Sequence, residues 1–551
     1  MFGCYSCVPS SGEVGSDFLA LDQQFDVYHA SIPIEDIEMR MADSLSGYSQ
    51  TRLTIGSVRD PEFGLTRRGA AFTIIPMNDS LDFGTNPKFE SFRIVLSRDT
   101  ISIADEADRN ILQNIYVYEL EEKLTGKYDI NALEKGTLKH GGSRITKSTP
   151  VFNGTDDTLG IDFNKEFGTK YMQALADLHL DGTQSLDDIL NVCPGIYMET
   201  SDPMGDGGRI NMFGVQLSFD ASSYYLESNY GAMKIRSTYD GVEKDTAFYF
   251  YFSPDSLYRV DSLLYYGTAG SLPQYGFNVT SQETRHLAGV ATDLVYVEGG
   301  GGLKPVISAR AIKDMILSEI SKNGGDAGNT VVNKVSLVMP FRFPEDWQDM
   351  DKYPQILSPT SRIRYDDETT GEYRYTFAGL TDSSASDENQ GDVDRSNLVY
   401  SPDITYHAQS ILRLADDAKY SNYDIWFLIV YNEIDKSEST SAYESDQSDY
   451  YNSLMYASYY NNMYGGYGGY GGYGYGSYGY GGYGSSYYSN YYSMMMMQQY
   501  YSSYYSSSSA SYVKTLDKDR YYHAVLYGPQ YPDETLRPHM DITYSIPKLS
   551  R

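Results

Sequence analysis

The chain has 551 residues, too many for one core and enough for two or three domains. Its 74 acidic side chains outnumber 43 basic ones, and the formal net charge of −31 is spread along the chain rather than gathered in a tail. A surface this acidic repels phosphate backbones and anionic headgroups, which argues against nucleic acid and peripheral lipid as partners.

The three cysteines, Cys4, Cys7 and Cys193, cannot build a disulfide framework, and no run of about 18 apolar residues is present to span a bilayer as a helix. The opening "MFGCYSCVPSSGEVGSD" places small residues before Cys4 and Cys7, as bacterial lipoprotein signals do at their end. Its Cys-x-x-Cys would be half a zinc site, but no second ligand pair follows at suitable spacing. Residues 1–24 therefore read as an N-terminal segment and polar linker. From Phe25 onward short alternating runs begin, punctuated by Gly, Asn, Asp and Pro.

The first of these, "AAFTIIPM", "SFRIVLS" and "NIYVYEL", predict strands in an N-terminal β-sandwich domain over 25–150. "GVQLSFD", "AFYFYF", "KVSLVMPF", "YRYTFA" and "DIWFLIVY" predict a second β-rich domain over 151–435, closed by "HAVLYG" and "DITYSI" within 513–551. Three helices are predicted: "SLDDIL" from Ser185, "SARAIKDMILSEISKNGG" with Ile312, Met315, Ile316 and Ile320 on one face, and "HAQSILRLADD" around Ile411. The expected fold is mainly β, two consecutive β-sandwich or jelly-roll-like domains with a few short helices.

Residues 436–512 are of a different kind. No charged side chain occurs from 450 to 512, and 22 of the 56 tyrosines fall there, in runs such as "YGGYGGYGGYGYGSYGYGGYG". Glycine makes backbone ordering expensive, and these tyrosines have no aliphatic neighbours to bury them, so a disordered insertion tethered between two strands of one sheet is expected. Its readings are a low-complexity passenger or a tyrosine-rich contact surface.

Catalytic patterns are scarce. The seven histidines form no i, i+4 zinc pair, no G-x-S-x-G elbow or phosphate-cradling loop occurs, and "EGGGGL" reads as a backbone turn. Acidic pairs such as Glu121 and Glu122 discriminate nothing among 74 carboxylates. The loop from Asp382 to Arg395 clusters hard oxygen ligands (Asp382, Asp387, Asn389, Asp392 and Asp394) and is a candidate calcium loop, although its glycine falls one place early for an EF-hand. Cys193 lies in an apolar run, as a small core side chain would. Trp426 belongs to an apolar strand and is expected in a core. Trp347, in the acidic stretch "FPEDWQDMDKY", is either a lid over "KVSLVMPF" or an exposed ligand contact.

Six segments in order give the chain a resemblance. "IGSVRDPEFGLTRRGAAFTI", "NIYVYELEEKL", "VYVEGGGGLKPVI", "VVNKVSLVMP", "YSPDITYHAQSIL" and the closing "YYHAVLYG…MDITYS" resemble the Bacteroidetes lipoproteins grouped as domain of unknown function 4270. The resemblance runs from about residue 15 to the C-terminus, apart from the insertion. It implies a lipidated N-terminal cysteine, for which Cys7 fits better than Cys4, and attachment to the outer membrane on its periplasmic face or at the cell surface. Seven Asp-Ser/Thr-apolar triplets, hydroxylated at Ser44, Ser80, Thr100, Thr158, Thr246, Ser256 and Ser262, are similar to a Bacteroides-type O-glycosylation signal.

The function expected is a non-catalytic lipoprotein, a structural or accessory subunit of an outer-membrane assembly built around a β-barrel. The alternative is a surface glycan-binding protein using exposed aromatics. No cofactor is expected beyond the calcium candidate. The partners expected are outer-membrane proteins, or a glycan.

Overall fold

One strand organises the first half of the molecule. Thr85–Ile103 is 19 residues long. Its early part pairs with Tyr230–Tyr239 and Thr158–Asp162, and its end pairs with Gly207–Gly214, with register shifts along the way. A strand that bends between two sheets makes the corner of a sandwich. The resulting 14-stranded sheet folds over a core of Leu53, Phe72, Phe92, Ile94, Val117, Phe213, Met233 and Phe250. The computed structural model describes residues 24–548, apart from 44, 50–51, 79, 125–129, 185, 221–224, 253–275, 367–372, 381, 383–388 and 435–511.

Helix α1, Lys165–Asp177, closes this sandwich and was not anticipated. The Asn164 side chain accepts from Phe167 N–H at 2.8 Å, and Phe167, Tyr171, Met172 and Leu175 fall on one buried face. The short α2, Leu186–Val192, follows where "SLDDIL" was read. Cys193 is buried beyond it, and burial pushes its thiol up to about 12, so it is an inert core side chain.

The second half is also a layered β structure. A five-stranded sheet is ordered Phe25–Pro33, His539–Pro547, Val331–Pro340, Val399–Tyr400, Val393–Asp394. A seven-stranded sheet has Ile425–Ile434 at its centre. That strand is buried on both faces, and its alternation serves two cores. Ile425, Phe427 and Ile429 face the main core with α3 (Ala309–Ser321) and α4 (Thr405–Leu412). Trp426 and Leu428 face a smaller one with Ala42, Leu45 and Ile130. Ile312, Ile316 and Ile320 are buried as their spacing predicted, and the chain turns at Gly324 with φ +79°.

The fold is thus mainly β, two sandwich-like bodies with few helices, but the chain weaves between them. It begins in the second body, crosses to the first at Tyr48, and returns after Gln282. Strands Ile196–Thr200 and Gly207–Gly214 sit inside the sheet that also holds Arg52–Asp60 and Gln113–Leu120. A boundary at 150 therefore falls within one sheet. The expected strand "GVQLSFD" is broken: one strand ends at Gly214 and another begins at Ser218.

Most of the expected insertion lies outside the described residues, but its roots do not. Ile425–Ile434 pairs with Tyr512–Leu516, and Ile434 is the cross-strand partner of Tyr512. The segment is therefore the loop of a hairpin within one sheet, and its return strand starts at 512. Replacing residues 437–509 by a four-residue Gly/Asn linker should leave the melting temperature unchanged or higher. Loop-closure entropy alone favours the shorter loop by about 2 kcal/mol. A calorimetric loss of more than about 5 °C, which for so long a chain exceeds 1 kcal/mol, would show that the segment stabilises the sheet.

His407 supplies a pH prediction. It is buried in α4, donates from Nε2 to Tyr423 O at 2.8 Å, and burial pushes its pKa down to about 4. A depressed histidine pKa contributes stability that is present above about pH 6.5 and lost as pH falls through the folded value. Between pH 7 and 4.5 the wild type should lose on the order of 2 kcal/mol that His407→Gln does not lose. Urea titrations of both proteins at the two pH values measure the difference; equal losses would refute it.

Candidate functional site

The residues singled out in the sequence do not come together. Cys4, Cys7 and Asp387 lie outside the described residues, as do Ser44, Ser256 and Ser262. Ser80 and Thr158 are exposed, whereas Thr100 and Thr246 are half-buried in strands. Three of the candidate calcium ligands, Asp382, Asn389 and Asp394, are engaged in turns and a helix cap. Asp382 accepts from Tyr406 N–H (2.7 Å) and His407 N–H (3.0 Å), capping the start of α4 from a distant loop, and burial raises its pKa. Asn389 closes a turn on Gly391 N–H and Asp392 N–H, and Asp394 closes another on Ser396 N–H and Asn397 N–H. Among the described residues no three His, Cys, Asp or Glu side chains gather to hold a metal ion.

Trp347 opens a 3-10 turn, Trp347–Asp351, and its indole is 70 % exposed. It is not a lid over the neighbouring strand. Met350 and Tyr353 do the packing in that loop, both buried in the main core. The turn is held at both ends: Arg342 N–H donates to Val525 O at 2.9 Å, Tyr353 OH to Arg342 O at 2.6 Å, and His523 N–H to Lys352 O at 3.0 Å.

The densest chemistry lies where the two bodies meet. The hairpin between Arg52–Asp60 and Gly64–Phe72 turns through Pro61, Glu62 and Phe63. Asp60 accepts from Glu62 N–H (2.8 Å) and Phe63 N–H (3.0 Å), and Gly64 takes φ +67°, the left-handed residue such a loop needs. This presents Phe63 to the second body, where its ring meets His523 at 4.7 Å and Tyr296 at 5.5 Å. His523 Nε2 lies 3.8 Å from Asp60, yet burial outweighs that carboxylate and lowers the imidazole pKa to about 4.

Beside it the segment Asp517–His523 runs between the bodies. Arg52 is buried and donates to Asp99 (2.7 Å), Asp519 (2.9 Å) and Tyr431 OH (3.1 Å). Arg68 reaches Lys518 O (3.3 Å) and Arg520 O (3.4 Å); desolvation lowers its pKa against the pull of Asp517, Asp519 and Glu298. Lys304 donates to the carbonyls of Glu298, Gly300 (3.0 Å) and Gly302 (3.2 Å), so the four-glycine turn wraps an ammonium. Burial lowers Lys304 to about 7 and raises Asp517 to about 6. The sequence reading took the glycine turn correctly and began the closing segment at Tyr521, but assigned nothing to Asp517–Arg520, because a charged run between strands ordinarily faces solvent.

Asp60 serves its turn, the arginines serve carboxylates and carbonyls, and Lys304 serves the glycine turn. Elsewhere among the described residues, a recess of about 330 Å³ lies by Glu119, Glu121, Lys170 and Asn191, where Lys170 already pairs with Glu119 at 2.7 Å. No protein-family model, no curated protein and no solved structure matches the chain.

The junction should be sensitive to single charge removal and tolerant of joint removal. Arg52→Ala leaves Asp99 and Asp519 facing a lost cation and should cost about 3–5 kcal/mol in urea unfolding. Replacing Arg52, Asp99 and Asp519 together by Met, Leu and Leu should cost markedly less. Equal losses would mean that the charges are not what the junction depends on.

Proposed function

We propose that this chain is a non-catalytic, lipid-anchored accessory subunit of an outer-membrane assembly, similar in kind to the Bacteroidetes lipoproteins of domain of unknown function 4270. The observation that carries the reading is where the resembling segments lie. Five of the six interlock. Phe63 of the first packs on Tyr296 of the third and His523 of the last. Strand Leu294–Glu298 pairs with His523–Tyr527. Val331–Pro340 pairs with His539–Pro547, and Ile404 N–H donates to Val335 O. Their polar groups hold one segment to another rather than converging on a substrate, which suits a rigid binding part better than an enzyme.

Cys7 is the anchor in this reading. The 17 residues from 8 to 24 reach up to roughly 60 Å when extended, ample to stand the first strand off a membrane. Two or three acyl chains give stable attachment where one gives marginal binding. Mass spectrometry of the N-terminal peptide from cells should show a thioether-linked diacylglyceryl group on Cys7. An unmodified peptide beginning upstream of Cys7 refutes the anchor.

The exposure of Trp347 favours one second reading, surface glycan binding, in which a sugar ring stacks on the indole. Trp426 is buried, so a change in tryptophan emission on adding polysaccharide would report Trp347. Unchanged emission across envelope and dietary polysaccharides removes the glycan reading.

A further inference from the structure

Phe343 (47 % exposed) and Trp347 (70 % exposed) stand on the loop that leaves strand Val331–Pro340. The loop is rigidly seated, with Arg342 paired to Glu62 of the first body and Met350 sunk in the second body's core. Four carboxylates surround the indole in sequence: Glu345, Asp346, Asp349 and Asp351. Lys352 matches Asp349 at 2.7 Å and Arg395 lies 3.7 Å from Asp351, whereas Glu345 and Asp346 face no cation among the described residues.

We propose that the Phe343–Trp347 loop is a protein-docking knuckle whose partner presents an apolar recess rimmed by lysine and arginine. The proposal rests on the accessory-subunit reading and names its contact. An exposed indole carried on a seated loop costs little backbone freedom on binding, and such aromatic anchors carry a disproportionate share of interface energy. The unmatched carboxylates select a cationic rim.

Two other occupants fit less well. A membrane surface is disfavoured by the carboxylates, which anionic headgroups repel. A sugar needs donors as well as acceptors around the ring. Lys352 and Arg395, the cations that pair with Asp349 and Asp351 of this loop, are already opposite carboxylates.

The test uses the full chain in native membranes and a defined probe in solution. In native gel electrophoresis the wild type should migrate in a larger complex that Trp347→Ala and the pair Glu345→Gln/Asp346→Asn each lose. Met204→Ala, at a fully exposed apolar residue in another loop, should keep it. Melting temperatures should stay unchanged throughout. In solution, an alternating Lys/Leu peptide should blue-shift the Trp347 emission and bind about thirtyfold more weakly to Phe343→Ala, the loss typical of a hot-spot truncation. A complex that survives both knuckle variants overturns the docking site and leaves the accessory reading standing. A wild type that migrates alone overturns both. An emission shift with neutral polysaccharide or phosphatidylglycerol vesicles, and none with the peptide, assigns the knuckle to sugar or lipid and overturns the proposal.

Discussion

The contact between the two bodies is made by burying charge. Asp517, Lys518, Asp519 and Arg520 enter it within one short segment, and Arg52 and Arg68 from the first body meet them. Each body has its own apolar core, and the apolar part of the shared contact is scattered in small pieces: Val58 and Ile210 cluster with Tyr521, Ile130 joins the Trp426 and Leu428 cluster, and Phe63 meets Tyr296. Ion pairs of this kind contribute little net stability against an apolar alternative, because desolvation offsets their attraction. What they impose is geometry. A guanidinium shared among Asp99, Asp519 and Tyr431 OH is satisfied in one arrangement, and a sliding apolar contact would accept many.

That constraint accounts for several otherwise unrelated features. The chain must start in the second body, build the first, and come back so that 517–523 closes between them. The turn favours glycine at Gly300, where φ is +57° and an added Cβ would lie 2.2 Å from Arg68 Nη1 and displace that guanidinium. The tyrosine-rich segment is placed just upstream of the closing piece, yet it need not disturb it. Its ends are opposed partners at the tip of a hairpin, and the charged contact begins past the far end of the return strand.

Much of the architecture was legible because it rests on short-range pattern. "DIWFLIVY" is five consecutive buried residues from Ile425 to Ile429, and its apolar run announced a central strand. Ile312, Ile316 and Ile320 announced α3 by their spacing. Helix α1 was also written in the sequence, through Asn164, Phe167, Tyr171 and Leu175, but Gly168 in its first turn masks the signal. The glycine is there because a Cβ would fall 2.1 Å from the Phe89 ring, a tertiary fact that no local window contains. The domain division was not legible, since antiparallel partners such as Phe25 and Pro547 lie at opposite ends of the chain. Nor was the role of Asp382, whose capping partners are on α4. In both cases the information is a long-range pairing.

Charge takes two distinct forms in this molecule. Five basic side chains (Arg52, Arg68, Arg209, Lys304 and Lys313) and six acidic ones (Glu298, Asp382, Asp403, Asp424, Asp517 and Asp519) are buried among the described residues. The interior is therefore close to neutral and contributes almost nothing to the net charge of −31. An exterior left this acidic repels its own copies and any anionic surface, and favours encounters with cationic ones, more strongly at low salt. Aromatic faces follow a similar economy: Arg144 covers Tyr116 at 3.8 Å, and His140 stacks on Tyr197 at 4.7 Å. An exposed indole beside two carboxylates without a cation, Glu345 and Asp346, departs from both patterns, so neither the packing of the fold nor its internal charge balance explains Trp347.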